Sequence, residues 1–239
     1  MLVLGIKDLT KKFKNGRGIF DINLELNEGD IFGFLGPNGA GKTTTMKCIT
    51  GLCRANKGEI EIFGKNIQTA FEPAMASVGA IIENCEAYEY MTALKNLELS
   101  ARFYKDVNKS RIDEVLELVG LGQYKKEKVS HFSLGMKQRL GIAAAILPKP
   151  SLLILDEPGN GLDIEGMVEI RNIIKTLANE SKTTFLISSH QINEIQHLCN
   201  RIGIIREGKM LMNEYVISFE KGKSLEDIYM DCIKKEKVS

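Results

Sequence analysis

The sequence predicts an α/β fold, a mixed sheet with an antiparallel β portion at its start and a helical insertion dividing its core. Three observations carry that expectation. Short apolar runs bounded by glycine or charge alternate with longer stretches whose apolar residues follow a helical period. The opening segment alternates apolar and polar residues, as a sheet with one covered face does. From about Glu86 to Pro148 the strand pattern gives way to helix.

Taken in order, "GIFDINLELNEGDIFGFLG" places Ile22, Leu24 and Leu26 on one face ahead of a turn at Gly29, and a buried run ends at Gly36. "GPNGAGKTTTMKCITGL" reads as a loop opening a helix, and "GEIEIFGK" as a further strand and turn. Within "VGAIIENC", Ala80 to Ile82 read as a buried strand closed by Glu83. In "SRIDEVLELVG", Ser110 is the expected cap, Ile112, Val115, Leu116 and Val119 form a stripe, and Gly120 ends the helix. The core resumes with "LLILDEP", "TTFLISSH" and the hairpin "RIGIIREGKMLM", turned at Glu207 and Gly208. The expected division is one domain: an α/β core over 1–85 and 149–215, a helical subdomain over 86–148, and a short C-terminal helix and tail over 216–239.

A chain of 239 residues with 44% hydrophobic and 26% charged residues can bury a large core, which excludes general disorder. Its net charge of +1 argues against a basic nucleic-acid binder. The opening "MLVLGIKDLTKKFK" has the wrong order and length for a secretory signal, so a cytoplasmic protein is expected. The longest apolar stretch, "LGIAAAIL", reads as one buried helix instead of a membrane span. The five cysteines, Cys48, Cys53, Cys85, Cys199 and Cys232, are scattered and odd in number, which predicts neither a disulfide framework nor a zinc site.

The chemistry begins at "GPNGAGKT", which matches the phosphate-binding pattern G-x-x-x-x-G-K-[ST] at Gly36, Gly41, Lys42 and Thr43. Along Gly36, Pro37, Asn38, Gly39, Ala40 and Gly41 the backbone can wrap so that its N–H groups face phosphate oxygens. The helix through Lys42, Thr43 and Thr44 points its positive end at them. Lys42 reaches the β and γ phosphates and Thr43 offers its hydroxyl to Mg²⁺. Asp156 and Glu157 end an apolar strand at the edge of the sheet where α/β ligand sites lie, Asp156 as the Mg²⁺ partner and Glu157 to hold the attacking water. His190 ends a second such strand, where its imidazole can donate to a γ phosphate.

A further helix starts in "HFSLGMKQRL", with Met136, Leu140, Ala143, Ala144 and Leu147 on one face. Ser133 and Gly135 stand at its N-terminus, either as an ordinary serine cap or as a second anion site without a lysine. Ser133 lies 91 residues after Lys42 and 23 before Asp156.

That order of motifs resembles the nucleotide-binding subunit of an ABC transporter over nearly the whole chain. "FSLGMKQ" resembles the family signature, with Leu134 where the first glycine is usual. "GNGLD" resembles the D-loop and carries Asp163, and His190 resembles the switch histidine. Phe13, 29 residues ahead of Lys42, resembles the aromatic that stacks on adenine. Gly159 and Ile164 depart from the common Thr and Pro. The resemblance implies MgATP hydrolysis, integral-membrane permease partners at the cytoplasmic face of the membrane, and a head-to-tail pair of subunits. ATP would lie between the Lys42 loop of one and the Ser133 helix of the other.

Most such subunits carry Gln at the strand end before the helical insertion, reaching Mg²⁺ and sensing the permease. Glu83 in "GAIIENCEAYEYMTALKNL", together with "SLGMKQRLGIA", resembles the lantibiotic-immunity and bacitracin-export transporters. Glu83 is therefore a metal candidate alongside Thr43 and Asp156, with a solvated strand-end charge as the competing reading. A soluble ABC ATPase of translation or DNA repair is the alternative, although the chain has one cassette and neither a charged linker nor a long coiled coil.

Overall fold

The computed structural model describes residues 1–83, 86–216 and 223–236. Strands β1 (Leu2–Lys12) and β2 (Gly18–Asn27) pair antiparallel, and β4 (Lys57–Ile62) and β5 (Lys65–Asn66) complete a four-stranded sheet in the order β2-β1-β4-β5. The second sheet has six strands. Its parallel part is β3 (Ile31–Leu35), β6 (Val78–Ile81), β7 (Leu152–Asp156), β8 (Thr184–Ser189) and β9 (Arg201–Arg206), and β10 (Lys209–Tyr215) joins β9 antiparallel. The order β10-β9-β3-β8-β7-β6 puts β3, β8 and β7 at its centre.

The central strands are apolar on both faces because both are covered. Leu152, Ile154 and Leu186 face the antiparallel sheet, and helix α1 (Lys42–Ile49) is clamped between the sheets through Met46 and Ile49. Leu153, Leu155, Phe185 and Ile187 face the other way, onto α3 (Ala93–Ala101), α4 (Lys109–Leu118), α5 (Leu134–Ile146) and α6 (Ile164–Ser181). Short α2 (Phe71–Met75) precedes β6. Helices α7 (Ile192–Leu198) and α8 (Leu225–Glu236) close a smaller cluster around Leu35, Ile195, Ile202 and Leu225.

Three expectations need correction. Asn108, not Ser110, caps α4: its side-chain oxygen accepts from Arg111 N at 3.0 Å, which leaves Ser110 inside the first turn. The strand ahead of the helices ends at Ile81, and Ala80 is exposed. As the edge strand, β6 is covered by α5 on one face, where Gly79 approaches Ala145 O too closely for a side chain, while its other face at Ala80 is open. Burial of α5 extends beyond the anticipated stripe to Gly141, Ile142 and Ile146, because the helix runs through the middle of the helical cluster. The stripe of α4, the Gly120 stop and the Glu207-Gly208 turn fall where the sequence places them. Cys85 lies outside the described residues. Among the described residues no helix is long and apolar enough to cross a membrane.

Candidate active site

The loop from Gly36 to Gly41 joins β3, at the sheet centre, to α1. Gly39 and Gly41 sit at φ +79° and +114°, a region closed to ordinary side chains, and this lets the chain double back into a helix within a few residues. Ala40 O accepts from Gly208 N at 2.9 Å, tying the loop to the β9–β10 turn. Pro37 and Asn38 lie exposed at its crest, and Thr44 is half-buried in the first turn of α1. The N-cap of α1 is Gly41, which offers no side-chain acceptor, so the first amides of this helix are available to an anionic ligand.

Lys42 is buried. Its Nζ donates to Gly36 O at 2.6 Å and Pro37 O at 3.2 Å and pairs with Glu157 Oε1 at 3.1 Å. The other oxygen of Glu157 lies 2.7 Å from Nδ1 of exposed His190, so the carboxylate bridges lysine and histidine. Glu157 Oε1 is buried and makes no hydrogen bond beyond this charge contact. Glu157 holds φ +49°, a strained value for a residue with a side chain, and its N–H donates to Ser188 Oγ at 2.9 Å.

Asp156 is buried at the end of β7. Thr43 Oγ1 donates to its Oδ2 at 2.7 Å and Ser188 Oγ to its Oδ1 at 2.5 Å. An oxygen-rich pair of a hydroxyl and a carboxylate, beside an uncapped helix N-terminus and a lysine, fits MgATP: hard oxygen donors for the cation, amides and ammonium for the phosphates.

Glu83 stands apart from that pair. It is 60% exposed, takes φ +67°, and its Oε1 accepts from Lys47 Nζ at 2.6 Å, one turn along α1 from Thr43. Phe13 is 43% exposed at the tip following β1, with Lys11 Nζ 5.5 Å from its ring centroid, so it is not a core aromatic. Ser133 caps α5, accepting from Met136 N at 3.2 Å, and Asp163 caps α6, accepting from Gly166 N at 2.9 Å. Gly135 faces Leu162, and Leu134 packs close to Gly161. Lys42, Thr43, Asp156, Glu157 and His190 thus form one cluster, while Ser133, Gly135 and Asp163 form another with the loop before α6.

Ser188, Ser189 and Glu194 escaped the sequence reading. Ser189 Oγ donates to Glu194 Oε2 at 2.6 Å, and Glu194 occupies the space a side chain at Gly159 would need, which accounts for the glycine there. The available signal was "SS" closing the apolar run "FLI" of a fully buried strand, since buried hydroxyls require partners.

The sequence pattern of the ABC transporter family matches residues 19–160. The chain belongs to that family. It is an ABC ATPase, and its cofactor set is ATP with Mg²⁺. The bacitracin transport ATP-binding protein BcrA of Bacillus licheniformis is 47% identical to this subunit over 209 residues, covering 87% of this chain and 68% of the relative. The lantibiotic transport ATP-binding protein SrtF of Streptococcus pyogenes is 37% identical over 235 residues, covering 98% and 99%. A solved ATP-binding subunit of an ABC transporter superposes at a TM-score of 0.84 and 28% identity, covering 97% of this ABC subunit and 99% of that chain. The cassette MJ0796, solved as a dimer in a post-hydrolysis state with ADP and Pi, superposes at 0.81 and 25% identity, covering 90% and 100%.

Proposed function

We propose that this ABC subunit hydrolyses MgATP at the Lys42–Glu157–His190 cluster to drive export of a peptide antibiotic of the bacitracin or lantibiotic class. The observation that carries the chemistry is the Glu157 carboxylate, held between Lys42 and His190 beside the Thr43–Asp156 pair. The relatives named above support the cargo class. The working complex pairs two ATP-binding subunits, as a homodimer, with integral-membrane permeases, which places the chain at the cytoplasmic face of the membrane.

In this reading, Gly36 to Thr44 wrap the phosphates, Phe13 stacks on adenine, and Lys42 moves from its loop carbonyls onto the β and γ phosphates. Glu157 accepts a proton from the attacking water as the new oxygen–phosphorus bond forms and the bond to the bridging oxygen breaks. With Nδ1 committed to Glu157, His190 has Nε2 left to face the γ phosphate. Thr43 and Asp156 would hold Mg²⁺, with Glu83 joining by leaving Lys47. When bound, the ion supplies charge neutralisation across the phosphate oxygens. Ser133, Gly135 and Asp163 of a second subunit close the site. The core over 1–85 and 149–215 does the chemistry and the helical subdomain over 86–148 meets the permease. A cleft of about 440 Å³ between β6, α3 and α5, lined by Ile82, Tyr88, Leu97 and Tyr104, supplies the contact face.

The test is Glu157→Gln. It is expected to bind MgATP and to dimerise on it, while hydrolysis falls by about 100-fold or more. Wild-type turnover, measured as phosphate release, would remove Glu157 from the base role. Co-isolation of the wild-type protein with ribosomes instead of a multi-span membrane protein would favour the translation alternative.

A further inference from the structure

The structure brings together two of the cysteines that look scattered in the sequence. Helix α1 ends at Ile49, Gly51 takes φ +73°, and the chain folds back so that Cys53 N donates to Lys47 O at 3.0 Å. This reversal brings Cys53 back alongside the last turn of α1, which carries Cys48. Both line a cleft of about 740 Å³ that also carries Arg54, Lys57, Ile60 and Phe71. Cys48 is buried and Cys53 half-buried. The nucleotide chemistry proposed above uses neither.

We propose that Cys48 and Cys53 form a redox modification site, a dithiol that two-electron oxidants of the peroxide or disulfide class close to a disulfide. With a peroxide, the Cys53 sulfur attacks the O–O bond, giving a sulfenic acid and one water. The Cys48 sulfur then displaces the hydroxyl, forming S–S and releasing a second water, so that two thiols are oxidised and one peroxide is reduced. Exposure assigns the first step to Cys53. Burial, and then the neighbouring Cys53, push the Cys48 thiol up to about 12, which disfavours it as the first attacker.

The segment after Cys53 holds the end of β1. Arg54 O accepts from Lys11 Nζ at 2.8 Å, Asn56 Oδ1 accepts from Lys12 N at 2.7 Å, and Asn56 N donates to Thr10 O at 2.8 Å. Phe13 follows directly. Drawing Cys53 onto Cys48 pulls this support away from the β1 end, so the linked form binds ATP several-fold more weakly. That consequence rests on the reading that Phe13 stacks on adenine.

Trypsin releases both cysteines in one peptide, residues 48–54. After treatment of the whole protein with hydrogen peroxide, that peptide is expected to lose both alkylation sites together and to weigh less by two hydrogens. ATP affinity, measured by calorimetry, should fall about three- to tenfold, with both changes reversed by dithiothreitol and absent in Cys53→Ser. Retention of both alkylation sites, blocking of Cys53 alone, or linkage with unchanged affinity overturns the proposal. Failure of the Phe13 reading shows separately, as wild-type ATP affinity in reduced Phe13→Ala.

Discussion

The N-termini of α1 and α5 each combine glycine with a hydroxyl residue, yet their surroundings differ. At α1 the cap is a glycine without a side-chain acceptor, the hydroxyl of Thr43 is spent on Asp156, and Lys42 and Glu157 are drawn in beside it. At α5 the hydroxyl of Ser133 caps the helix itself, and the neighbouring surface is apolar, with Leu134 54% and Ile164 78% exposed. The first end is assembled within one chain. The second exposes large apolar side chains beside a capped helix, which in the proposed reading a second subunit covers. That contrast supports a site shared between two subunits.

The largest effect that would break the comparison is expected from Ser133→Arg. Loss of the cap should cost about 1 kcal/mol of stability, leaving the protein folded. ATP binding to the Lys42 half should persist, while MgATP-dependent dimerisation, introduced in a Glu157→Gln background and read by light scattering, should be lost. A dimer of normal stability would show that the α5 end contributes nothing to a shared site.

A smaller effect is expected at Glu83. Its ion pair with Lys47 is 60% exposed on the carboxylate side, so removing it should cost well under 1 kcal/mol. Glu83→Gln, which keeps one oxygen, should stay active. Glu83→Ala should bind ATP yet lose most hydrolysis, and protection of cells against peptide antibiotics should suffer more than the isolated subunit. Wild-type turnover with unchanged Mg²⁺ dependence in Glu83→Ala would leave Glu83 as a strand-end charge held by Lys47.

The smallest effect separates two roles for Asp163. As the cap of α6, its replacement by Ala should cost about 1 kcal/mol in denaturant unfolding, and Asp163→Asn should restore nearly all of it. Recovery of turnover in Asp163→Asn would assign the residue to capping alone. Restored stability with low turnover would place the carboxylate in the shared site.

The sequence by itself determined the α/β core, the Lys42 loop and the acid pair at the end of β7. Each is a local pattern: glycines that permit a positive φ, alternating or continuous apolar runs, and charges placed at strand ends. Tertiary structure alone decided that Glu157 bridges Lys42 and His190, that Ser188 holds Asp156 and that Glu83 lies on Lys47. It also decided that β6 is an open edge and that Cys48 and Cys53 line one cleft. Those contacts depend on which strands are neighbours in the sheet and how a turn folds back on its helix. Pairing across the sheet joins residues such as Asp156 and Ser188 through backbone hydrogen bonds that carry no mark of their partner in the local sequence.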